Sequence, residues 1–471
     1  MSGSQLALLI DFGSTFTKIR AIELRSGEVA GTAQAPSTVD TNVIDGLQHA
    51  LAKIRTTLGR RQVDGALRLA SSSAAGGLRI VAVGLIPDLT AEAAKRAALG
   101  AGAKVVATFA HGLTDEDLAK MTTLRPDIVV LAGGTDGGNR ACIEDNARRL
   151  ADVGLDCPII VAGNRNAGSA IGKILGGAGC EFVVVDNVLP AINRLAVGAC
   201  GEAIRQIFME RIVDAKGLAD AEEFVGAILM PTPQAVLRGC ELLANGPPDG
   251  DGLGELICID VGGATTDVYS VGDGLPRDSR VVLRGLMEPV AKRTVEGDLG
   301  VRINASSIVE TVGERAFLDD LDVEADRGDV DRLTISTATL PGTDRERAID
   351  LALGRTAAAV ALRRHAGSIE LAYGPEGPIS IQTGKDVRAT KMVIGTGGIF
   401  AANPENAAEL FAGCARQPDE PHLIPERPLY HIDRDYALYA VGLLAEHEPQ
   451  IAYEVGSRHL VPVDTTAAVR S

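Results

Sequence analysis

Residues 6–20 read LALLIDFGSTFTKIR, an apolar run that ends in Asp11 and turns through a glycine and several hydroxyl residues to Lys18. The apolar run predicts a buried strand. Gly13 permits a tight turn that brings the backbone close to a ligand, and the residues after it offer hydroxyls, amides and a positive charge. Such a turn beside an acid at a strand end suits a metal–phosphate pair. A β-hairpin whose Asp11 only caps its own turn fits this one stretch equally well.

A second copy of the pattern occurs at residues 255–267, which read ELICIDVGGATTD. Each copy follows an apolar strand and leads into a further strand. The aligned positions are Asp11 with Asp260, Gly13 with Gly262, Ser14 with Gly263, and Thr17 with Thr266. A third glycine turn, Gly395–Gly398, follows the predicted strand Lys391–Ile394. Repetition of this kind indicates a duplicated core whose halves hold one ligand.

Composition and charge limit the possible partners. The 471 residues are enough for two or more domains. The formal net charge is −16, which argues against nucleic acid, since proteins that bind it present basic surfaces. The seven cysteines include no C-x-x-C pair, as expected of free thiols in a cytosolic protein. No apolar run is long enough to cross a membrane, so we expect a cytoplasmic protein with no nucleic-acid or membrane partner.

Strands and helices are predicted to alternate between residues 78 and 180, which indicates a mostly parallel sheet covered by helices. One long helix is predicted from Asp186 to Ile212, opened by Asn187 and Pro190. The residues after Glu448 show little pattern and are predicted to form a loose tail. The helices predicted elsewhere in the second half of the chain are Asp344–His365, Pro404–Phe411 and Asp433–Glu446.

The ordered set of motifs resembles the actin-like ATPase superfamily, which includes actin, heat-shock chaperone ATPase domains, sugar kinases and reactivating factors of radical enzymes. The motifs are DFGSTFTK, a small-residue helix near Asn187, DVGGATTD, GTGG and a late helix with the pattern D-x-x-L-x-A-x-G. The resemblance implies an α/β, two-lobed actin-like (ribonuclease H-like, duplicated) ATPase fold with an α/β insertion in the first lobe. The implied parts are a first lobe at 1–200 with the insertion at 78–180, a second lobe at 201–432, and a connecting helix returning to the first lobe, with a tail, at 433–471.

More narrowly, the chain resembles the glutamate mutase accessory protein family, often called MutL or GlmL and unrelated to the mismatch-repair protein of similar name. The motifs SSSAAGGLR at 71–79 and VVLAGGTDGGN at 129–139 carry this closer match, together with DFGSTFTK and VIGTGGIF. Members are thought to reactivate or assist adenosylcobalamin-dependent mutases that act on glutamate or on amino acids such as ornithine. The resemblance therefore implies such a mutase as the partner. The D-x-H-x-x-G cobalamin-binding motif is absent from the sequence, so we do not expect the chain to hold the corrinoid as a mutase does.

The resemblance also implies ATP or ADP with Mg²⁺ as the ligands. Asp11 and Asp260 are the predicted metal-binding and catalytic residues, holding Mg²⁺ through its waters because this ion dehydrates reluctantly; two turn-capping aspartates are the alternative. Glycine loops cradle anions with their amides, and the predicted phosphate-binding residues are Gly13, Ser14, Thr15, Thr17, Lys18, Gly262, Gly263, Ala264, Thr265 and Thr266. The predicted adenosine-binding residues, where a larger side chain would collide with the ligand, are Gly395, Thr396, Gly397 and Gly398. An ordinary strand lysine and a plain glycine loop are the alternatives for Lys18 and for the third turn.

Hydrolysis also needs a group that orients water in line with the γ-phosphate. Relatives keep this group where a strand meets the first connecting helix, so Asp186 and Asn187 are predicted as further catalytic residues. The sequence there reproduces neither the chaperones' Asn-Glu-Pro nor actin's glutamine, and slow hydrolysis is the expectation. The GGTDGGN turn at 133–139 is predicted to line the ATP cleft, and a second nucleotide or partner site that uses Asp136 is the alternative.

Four functions are compatible with this set of motifs. The family resemblance favours an ATP-driven reactivating chaperone, whose nucleotide cycle would move the lobes and act on a mutase that holds damaged cobalamin. A small-molecule kinase of the same fold would need a substrate-binding cluster, and none is evident in the sequence. An activator ATPase would need cysteines around an iron–sulfur cluster, and a filament-forming protein would scatter light with ATP. Without the resemblance, the residues predict only a two-lobed Mg–ATP-binding protein.

Overall fold

The computed structural model describes residues 5–13, 16–37, 43–73, 78–214, 228–335, 341–374 and 377–464. Contacts divide the chain into two compact units. The first comprises residues 1–235 with 285–287, and the second comprises residues 236–284 with 288–471. The predicted lobe boundaries at residues 200 and 433 stay predictions.

Strands and helices alternate along most of the described chain. Nineteen strands are present in the described residues: β1 (Leu6–Phe12), β2 (Phe16–Glu23), β3 (Val29–Pro36), β4 (Leu67–Ser72), β5 (Arg79–Gly84), β6 (Lys104–Ala110), β7 (Ile128–Leu131), β8 (Ile159–Val161), β9 (Phe182–Val184), β10 (Ile228–Pro231), β11 (Leu256–Val261), β12 (Thr266–Val271), β13 (Val281–Arg284), β14 (Ala291–Glu296), β15 (Ser368–Gly374), β16 (Gly377–Thr383), β17 (Met392–Thr396), β18 (Leu429–Asp433) and β19 (Leu460–Pro462). Sixteen α-helices are present in the same residues: α1 (Val43–Leu58), α2 (Arg60–Asp64), α3 (Glu92–Gly100), α4 (Asp115–Leu124), α5 (Ala141–Val153), α6 (Gly168–Gly177), α7 (Gly198–Asp214), α8 (Thr232–Asn245), α9 (Ala305–Val312), α10 (Glu314–Asp319), α11 (Arg327–Ile335), α12 (Asp344–His365), α13 (Gly398–Ala402), α14 (Ala407–Leu410), α15 (Leu438–Ala445) and α16 (Pro449–His459). A π-helical turn at Pro87–Ala91 and a 3₁₀ turn at Pro404–Asn406 complete the described elements.

The central sheet of the first unit has the strand order β3-β2-β1-β4-β10. β1 pairs antiparallel with β2 and parallel with β4, and β10 pairs parallel with β4. Helix α1 packs on this sheet through Leu47, Leu51 and Ile54, which share the core with Ile10 and Ile19. Their spacing is that of an amphipathic helix. The carboxyl ends of β1, β4 and β10 therefore lie along one edge of the sheet.

The central sheet of the second unit repeats this order as β14-β12-β11-β17-β18, with β19 added beyond β18. β11 pairs antiparallel with β12 and parallel with β17, as β1 does with β2 and β4. β17 and β18 are also parallel. Helix α12 packs on this sheet through Ile349, Leu353 and Ala357, and a small sheet of order β13-β16-β15 belongs to the same unit. The predicted duplication of the core is confirmed strand for strand.

Between β4 and β10 the chain forms a separate sheet of five parallel strands in the order β6-β5-β7-β8-β9. Helices α3 to α6 connect these strands, and a core of its own includes Val81, Val129, Ile143 and Ile159. Continuous apolar strands such as β7 are typical of a parallel sheet that is covered on both faces. The mostly parallel sheet predicted for residues 78–180 is confirmed.

The predicted helix Asp186–Ile212 is wrong in its first half. The helix there, α7, begins at Gly198, and a short bridge joins Ala191 to Arg194 before it. Asn193 has a φ of 64°, and a continuous right-handed helix does not accommodate a left-handed residue. Asn187 therefore lies in an irregular segment that follows β9.

The elements predicted near the C-terminus also differ from the structure. Asp433 ends strand β18, and the helix that follows begins only at Leu438. The predicted loose tail after Glu448 is wrong for residues 449–464, because α16 follows and β19 pairs antiparallel with β18; residues 465–471 lie outside the described residues. The predicted helix Pro404–Phe411 is divided into a 3₁₀ turn and the short helix α14.

Candidate functional site

Asp11 lies at the carboxyl end of β1, opposite Lys18 on β2 and Ser71 on β4. The residue is almost fully buried, at 2% exposed. Thr232, the first residue of α8, donates a 2.6 Å hydrogen bond from Oγ1 to Asp11 Oδ1, and its Oγ1 lies 3.2 Å from Ser71 Oγ. The edge formed by β1, β4 and β10 thus brings together an acid, two hydroxyls and a lysine.

Burial raises the pKa of the Asp11 carboxyl above its ordinary value. Lys18, the Thr232 hydroxyl and Arg20 act in the opposite direction, because a positive charge or a donated hydrogen bond favours the carboxylate. A further cation at this place would favour the charged form in the same way. The carboxyl of Asp11 therefore fits a position beside a divalent cation.

The turn after Asp11 brings backbone atoms close together. Gly13 N donates to Phe16 O over 3.1 Å, and Ser37 Oγ donates to Gly13 O over 2.7 Å. A Cβ at Gly13 would lie only 2.6 Å from Phe16 O, so this approach requires glycine. The predicted phosphate-binding residues Ser14 and Thr15 lie outside the described residues.

Five buried side-chain polar atoms of the first unit have no hydrogen-bond partner among the described residues. Three are Nε atoms of arginines, and the other two are Oγ1 of Thr17 on β2 and Oε1 of Gln234 in the first turn of α8. Gln234 lies two residues after Thr232, the donor to Asp11. Because buried polar groups are nearly always hydrogen-bonded, both atoms are candidates for contact with a ligand or with water. The sequence analysis identified Thr17 and missed Thr232 and Gln234.

Asp260 occupies the equivalent position in the second unit, at the end of β11, opposite Asp267 on β12 and Thr396 on β17. Gly262 N donates to Thr265 O over 2.9 Å, the counterpart of the bond that Gly13 makes in the first copy. The two copies therefore share this backbone hydrogen bond as well as one sequence pattern.

In the second turn, residues 262–265, the carbonyl oxygens accept hydrogen bonds, whereas most of the amides donate none. Val301 N, Arg302 N and Asn304 Nδ2 donate to the oxygens of the three residues Gly262–Ala264. The amides of Gly263–Thr265 have no acceptor among the described residues. Successive backbone amides can form an anion-binding concavity, and phosphate binding by this turn stays a prediction.

A buried ion pair stabilises the place where the second turn leads into β12. Arg293 Nη2 lies 2.6 Å from Asp267 Oδ1, and Thr265 Oγ1 donates to Asp267 Oδ2 over 3.1 Å. Each charge is matched by the other, as buried ions require. The hydroxyl of Thr265 therefore contributes to the structure of the turn, and its amide is the group left for a ligand.

The third glycine turn contacts the second acid. Gly397 has a φ of 94°, and a Cβ there would lie 2.6 Å from Asp260 Oδ1 and 2.5 Å from Val261 O. A Cβ at Gly395 would lie 2.4 Å from the Phe400 ring, whereas Gly398 has open space where its Cβ would be. The structure thus brings Asp260 and the Gly395–Gly398 turn together. Both belong to the second unit, and both are predicted residues of the nucleotide site.

Asp433 is a buried acid of this half that the sequence analysis did not identify as a site residue. Its Oδ2 accepts hydrogen bonds from Thr396 Oγ1 over 2.9 Å and from Leu438 N over 3.1 Å. Its Oδ1 accepts from Ala437 N over 2.7 Å. A carboxylate in this position caps the N-terminus of α15. The hydroxyl of Thr396, predicted to contact adenosine, is used in this cap.

Asp186 and Asn187 lie at the inserted sheet. Asn187 Nδ2 donates to Gly134 O over 3.0 Å and to Asp136 Oδ1 over 2.9 Å, while its Oδ1 accepts from Leu189 N over 3.0 Å. Asn187 therefore fixes the GGTDGGN turn, which follows β7. Asp186 is exposed, and no hydrogen bond among the described residues joins either residue to Asp11.

Three further properties concern the described part of the chain as a whole. No helix within it is long and apolar enough to cross a membrane. Its histidine, cysteine, aspartate and glutamate side chains form no group of three or more that could hold a metal ion. The seven cysteines are free thiols, as the sequence predicts.

Comparisons with known proteins agree over nearly the whole length of the chain. A family model described as MutL protein matches residues 7–460, and Protein MutL of Clostridium tetanomorphum is 44% identical over 97% of this chain and 99% of its own. Among solved structures, a glycerol dehydratase reactivase is 9% identical over 94% of this chain and 99% of its own, with a TM-score of 0.34. Xylulose kinase of Bifidobacterium adolescentis is 12% identical over 98% of this chain and 96% of its own, with a TM-score of 0.32. The chain has an α/β fold with the predicted duplicated core, and it belongs to the MutL protein family.

Proposed function

We propose that the chain is an ATP-binding and slowly ATP-hydrolysing accessory protein that reactivates an adenosylcobalamin-dependent amino-acid mutase. The observation that carries the proposal is the duplicated arrangement of an acid at a strand end followed by a tight glycine turn. Membership of the MutL family supports the accessory role. The proposed location is the cytoplasm.

In this proposal each copy contributes groups to Mg–ATP binding, with one nucleotide per chain. The open amides of Gly263–Thr265 donate to phosphate oxygens, and Lys18 neutralises part of the phosphate charge. Asp11 and Asp260 accept hydrogen bonds from waters of Mg²⁺, an ion that supplies positive charge where the phosphates carry their negative charge. The raised pKa of Asp11 supports this assignment, because the carboxylate lacks sufficient compensating charge without the ion.

We propose Gln234 as the residue that orients the attacking water, in place of Asp186 or Asn187. Its Oε1 is buried without a donor, and the same helical turn supplies Thr232 to Asp11. Asn187 uses both polar atoms of its amide within its own segment and the GGTDGGN turn. An amide orients water without removing its proton, so this assignment is consistent with slow hydrolysis.

The proposed partner is a mutase of the glutamate mutase or aminomutase type. This part of the proposal rests on the motifs shared with glutamate mutase accessory proteins and on the 44% identity to Protein MutL of Clostridium tetanomorphum. Binding and hydrolysis of a nucleotide can change the relative populations of two conformations. Such a change, transmitted to the mutase, would allow damaged cofactor to leave.

Phosphate release from Mg–ATP tests the proposal, measured with and without a cobalamin-dependent aminomutase that has been inactivated by turnover. We expect slow release by the accessory protein and recovery of mutase activity that requires ATP. An exposed-residue variant, Asp251→Asn, should behave as the wild type, whereas Asp11→Asn should support neither release nor recovery. Consumption of ATP only when a small molecule is added, with no recovery, would instead identify a small-molecule kinase. Failure to bind ATP at all would refute the proposal.

A further inference from the structure

The second unit contains a cavity of about 1040 Å³ that is separate from the Gly395–Gly398 turn of the same unit. Helix α12 contributes Arg355 and Arg363 to its wall, and Pro428 and Tyr430 contribute at the start of β18. The Gly395–Gly398 turn follows the carboxyl end of β17, which is parallel to β18. The cavity and the turn therefore lie at opposite ends of these strands.

Arginines predominate among the charged residues of the cavity wall. They are Arg355, Arg363, Arg416 and Arg427, against the acids Asp320 and Glu426. Ion pairs engage two of them, since Arg355 pairs with Asp320, and Arg363 Nη2 lies 3.1 Å from Glu420 Oε2. Glu426 pairs with Arg277 over 3.4 Å. Two guanidinium groups therefore lack a carboxylate partner among the described residues, in a chain whose formal net charge is −16.

These two groups, on Arg416 and Arg427, have unused donors. Arg416 Nη2 donates to Glu420 O over 2.7 Å, but its Nε is buried with no acceptor among the described residues. Arg427 forms neither a hydrogen bond nor an ion pair with any described residue. A buried donor without an acceptor is costly, and a guanidinium is suited to the paired oxygens of a carboxylate, sulfonate or phosphate.

The rest of the wall is largely apolar. Phe411, Ala359 and Val360 line it, and Phe411 packs against Tyr430 with ring centroids 4.5 Å apart. Pockets for organic ligands have volumes of roughly 300–1,000 Å³ and combine apolar walls with a few polar groups. A single inorganic anion would leave most of this space unfilled.

We propose that this cavity binds an organic anion of cofactor size. Arg416 and Arg427 hold its acidic group, and its apolar body lies against Phe411 and Ala359. Because the cavity and the Gly395–Gly398 turn lie at opposite ends of β17 and β18, its ligand is distinct from the nucleotide and does not compete with it. The assignment does not depend on ATP hydrolysis.

A pair of fluorescent probes tests this assignment on the full-length protein. Anilinonaphthalene sulfonate carries an aromatic body and one acidic group, and phenylnaphthylamine has the same body without the acid. We expect saturable binding of the sulfonate with one molecule per chain, and no displacement by Mg–ADP. Arg427→Gln, at an exposed position, should weaken sulfonate binding by about tenfold, as expected for a lost charge-assisted hydrogen bond, and should leave phenylnaphthylamine binding unchanged.

Two further variants control for indirect effects. Arg416→Gln should weaken binding of the sulfonate in the same selective manner, with thermal unfolding measured alongside to show that the variant is folded. Arg315→Gln removes an arginine whose side chain is 94% exposed outside the cavity and should bind both probes as the wild type does. Absence of saturable sulfonate binding, equal losses for both probes, or displacement by Mg–ADP would each overturn the proposal.

Discussion

The two copies of the core have the same strand order but leave different polar groups without partners. In the first copy the buried hydroxyl of Thr17 has no partner among the described residues, and burial raises the pKa of Asp11, whose Oδ1 accepts a hydrogen bond from Thr232. In the second copy the hydroxyl of Thr266, which aligns with Thr17, donates to Leu299 O over 2.7 Å. The groups left open there are the backbone amides of Gly263–Thr265.

This difference suggests that duplication was followed by a division of roles. Side chains that are buried without partners are costly, and they persist where a ligand completes them. Open amides in a turn provide a fixed anion site with no need for a charged side chain. We infer that the hydroxyl at this aligned position is left for a ligand in the first copy and has a structural role in the second.

Removing the two acids should have the largest effect. Asp11→Asn and Asp260→Asn should each reduce ATP hydrolysis by about 100-fold, because each removes a negative charge aligned with Mg²⁺, and loss of one preorganised electrostatic contact has this magnitude. Phosphate release measures the rate, and circular dichroism establishes that both variants are folded. Wild-type rates in both variants would show that neither strand end belongs to the site.

A side chain that blocks the third turn should have the second-largest effect, which is on ATP binding. Gly397→Val places a branched side chain at a φ of 94°, against Asp260 Oδ1 and Val261 O, and should weaken ATP binding by about tenfold, or about 1.4 kcal/mol. Gly177→Ala, at the end of α6, is the control, since nothing lies within 4 Å of its Cβ position. Calorimetric titration measures both affinities. An unchanged affinity in a folded Gly397→Val protein would exclude this turn from the nucleotide site.

The two candidate water-orienting residues can be separated by their kinetics. Gln234→Ala should lower kcat about tenfold with little change in KM, because the amide acts on the water and not on ATP binding. Asn187→Ala should lower thermal stability, since it breaks the bonds to Gly134 and Asp136, and should leave kcat near the wild-type value. The reverse outcome would restore the original prediction for Asn187.

The aligned threonines should differ in stability when no nucleotide is present. Thr266→Val loses the bond to Leu299 O and should reduce the free energy of unfolding by about 1 kcal/mol or more. Thr17→Val removes a hydroxyl that has no partner among the described residues, and its cost should be close to zero. Urea unfolding of both variants measures the contrast. Equal losses would contradict the proposed difference between the copies.

The smallest effect should be a pH dependence from Asp11. Since its pKa is raised in the folded protein, the associated stability is present below the ordinary carboxyl pKa of about 3.9 and is lost as pH rises through the folded value. The side chain of Asn cannot ionise. As pH rises over that range, the free energy of unfolding of the wild type should therefore fall relative to that of Asp11→Asn. Mg–ATP should reduce this relative loss. A difference in unfolding free energy between Asp11→Asn and the wild type that stays constant from acidic to neutral pH would contradict the raised pKa.

The sequence predicted the repeated elements well because the repeat itself is local. Each strand, acid and glycine turn lies within about fifteen residues, and aligning the copies identified Asp11, Asp260 and the third turn. The parallel insertion was equally accessible, since strands and helices alternate there with short connections.

The errors have a different physical origin. Residues 191–201 are rich in small helix-compatible residues, but the left-handed Asn193 and the side-chain bonds of Asn187 stop a helix until Gly198. β18 and β19 owe their conformation to pairing with each other and with β17, and a short sequence does not reveal its partners. Thr232 was missed because the Pro-Thr-Pro sequence resembles a turn, although proline is well accommodated in the first turn of a helix.

The most direct test of the account is the number of nucleotides that one chain binds. Calorimetric titration with Mg–ADP, at a protein concentration well above the dissociation constant, gives this number without depending on hydrolysis. The account predicts one nucleotide per chain, with the affinity reduced by either Asp11→Asn or Asp260→Asn. Two nucleotides per chain, each lost independently in one of these variants, would contradict it and show that each copy is a complete site.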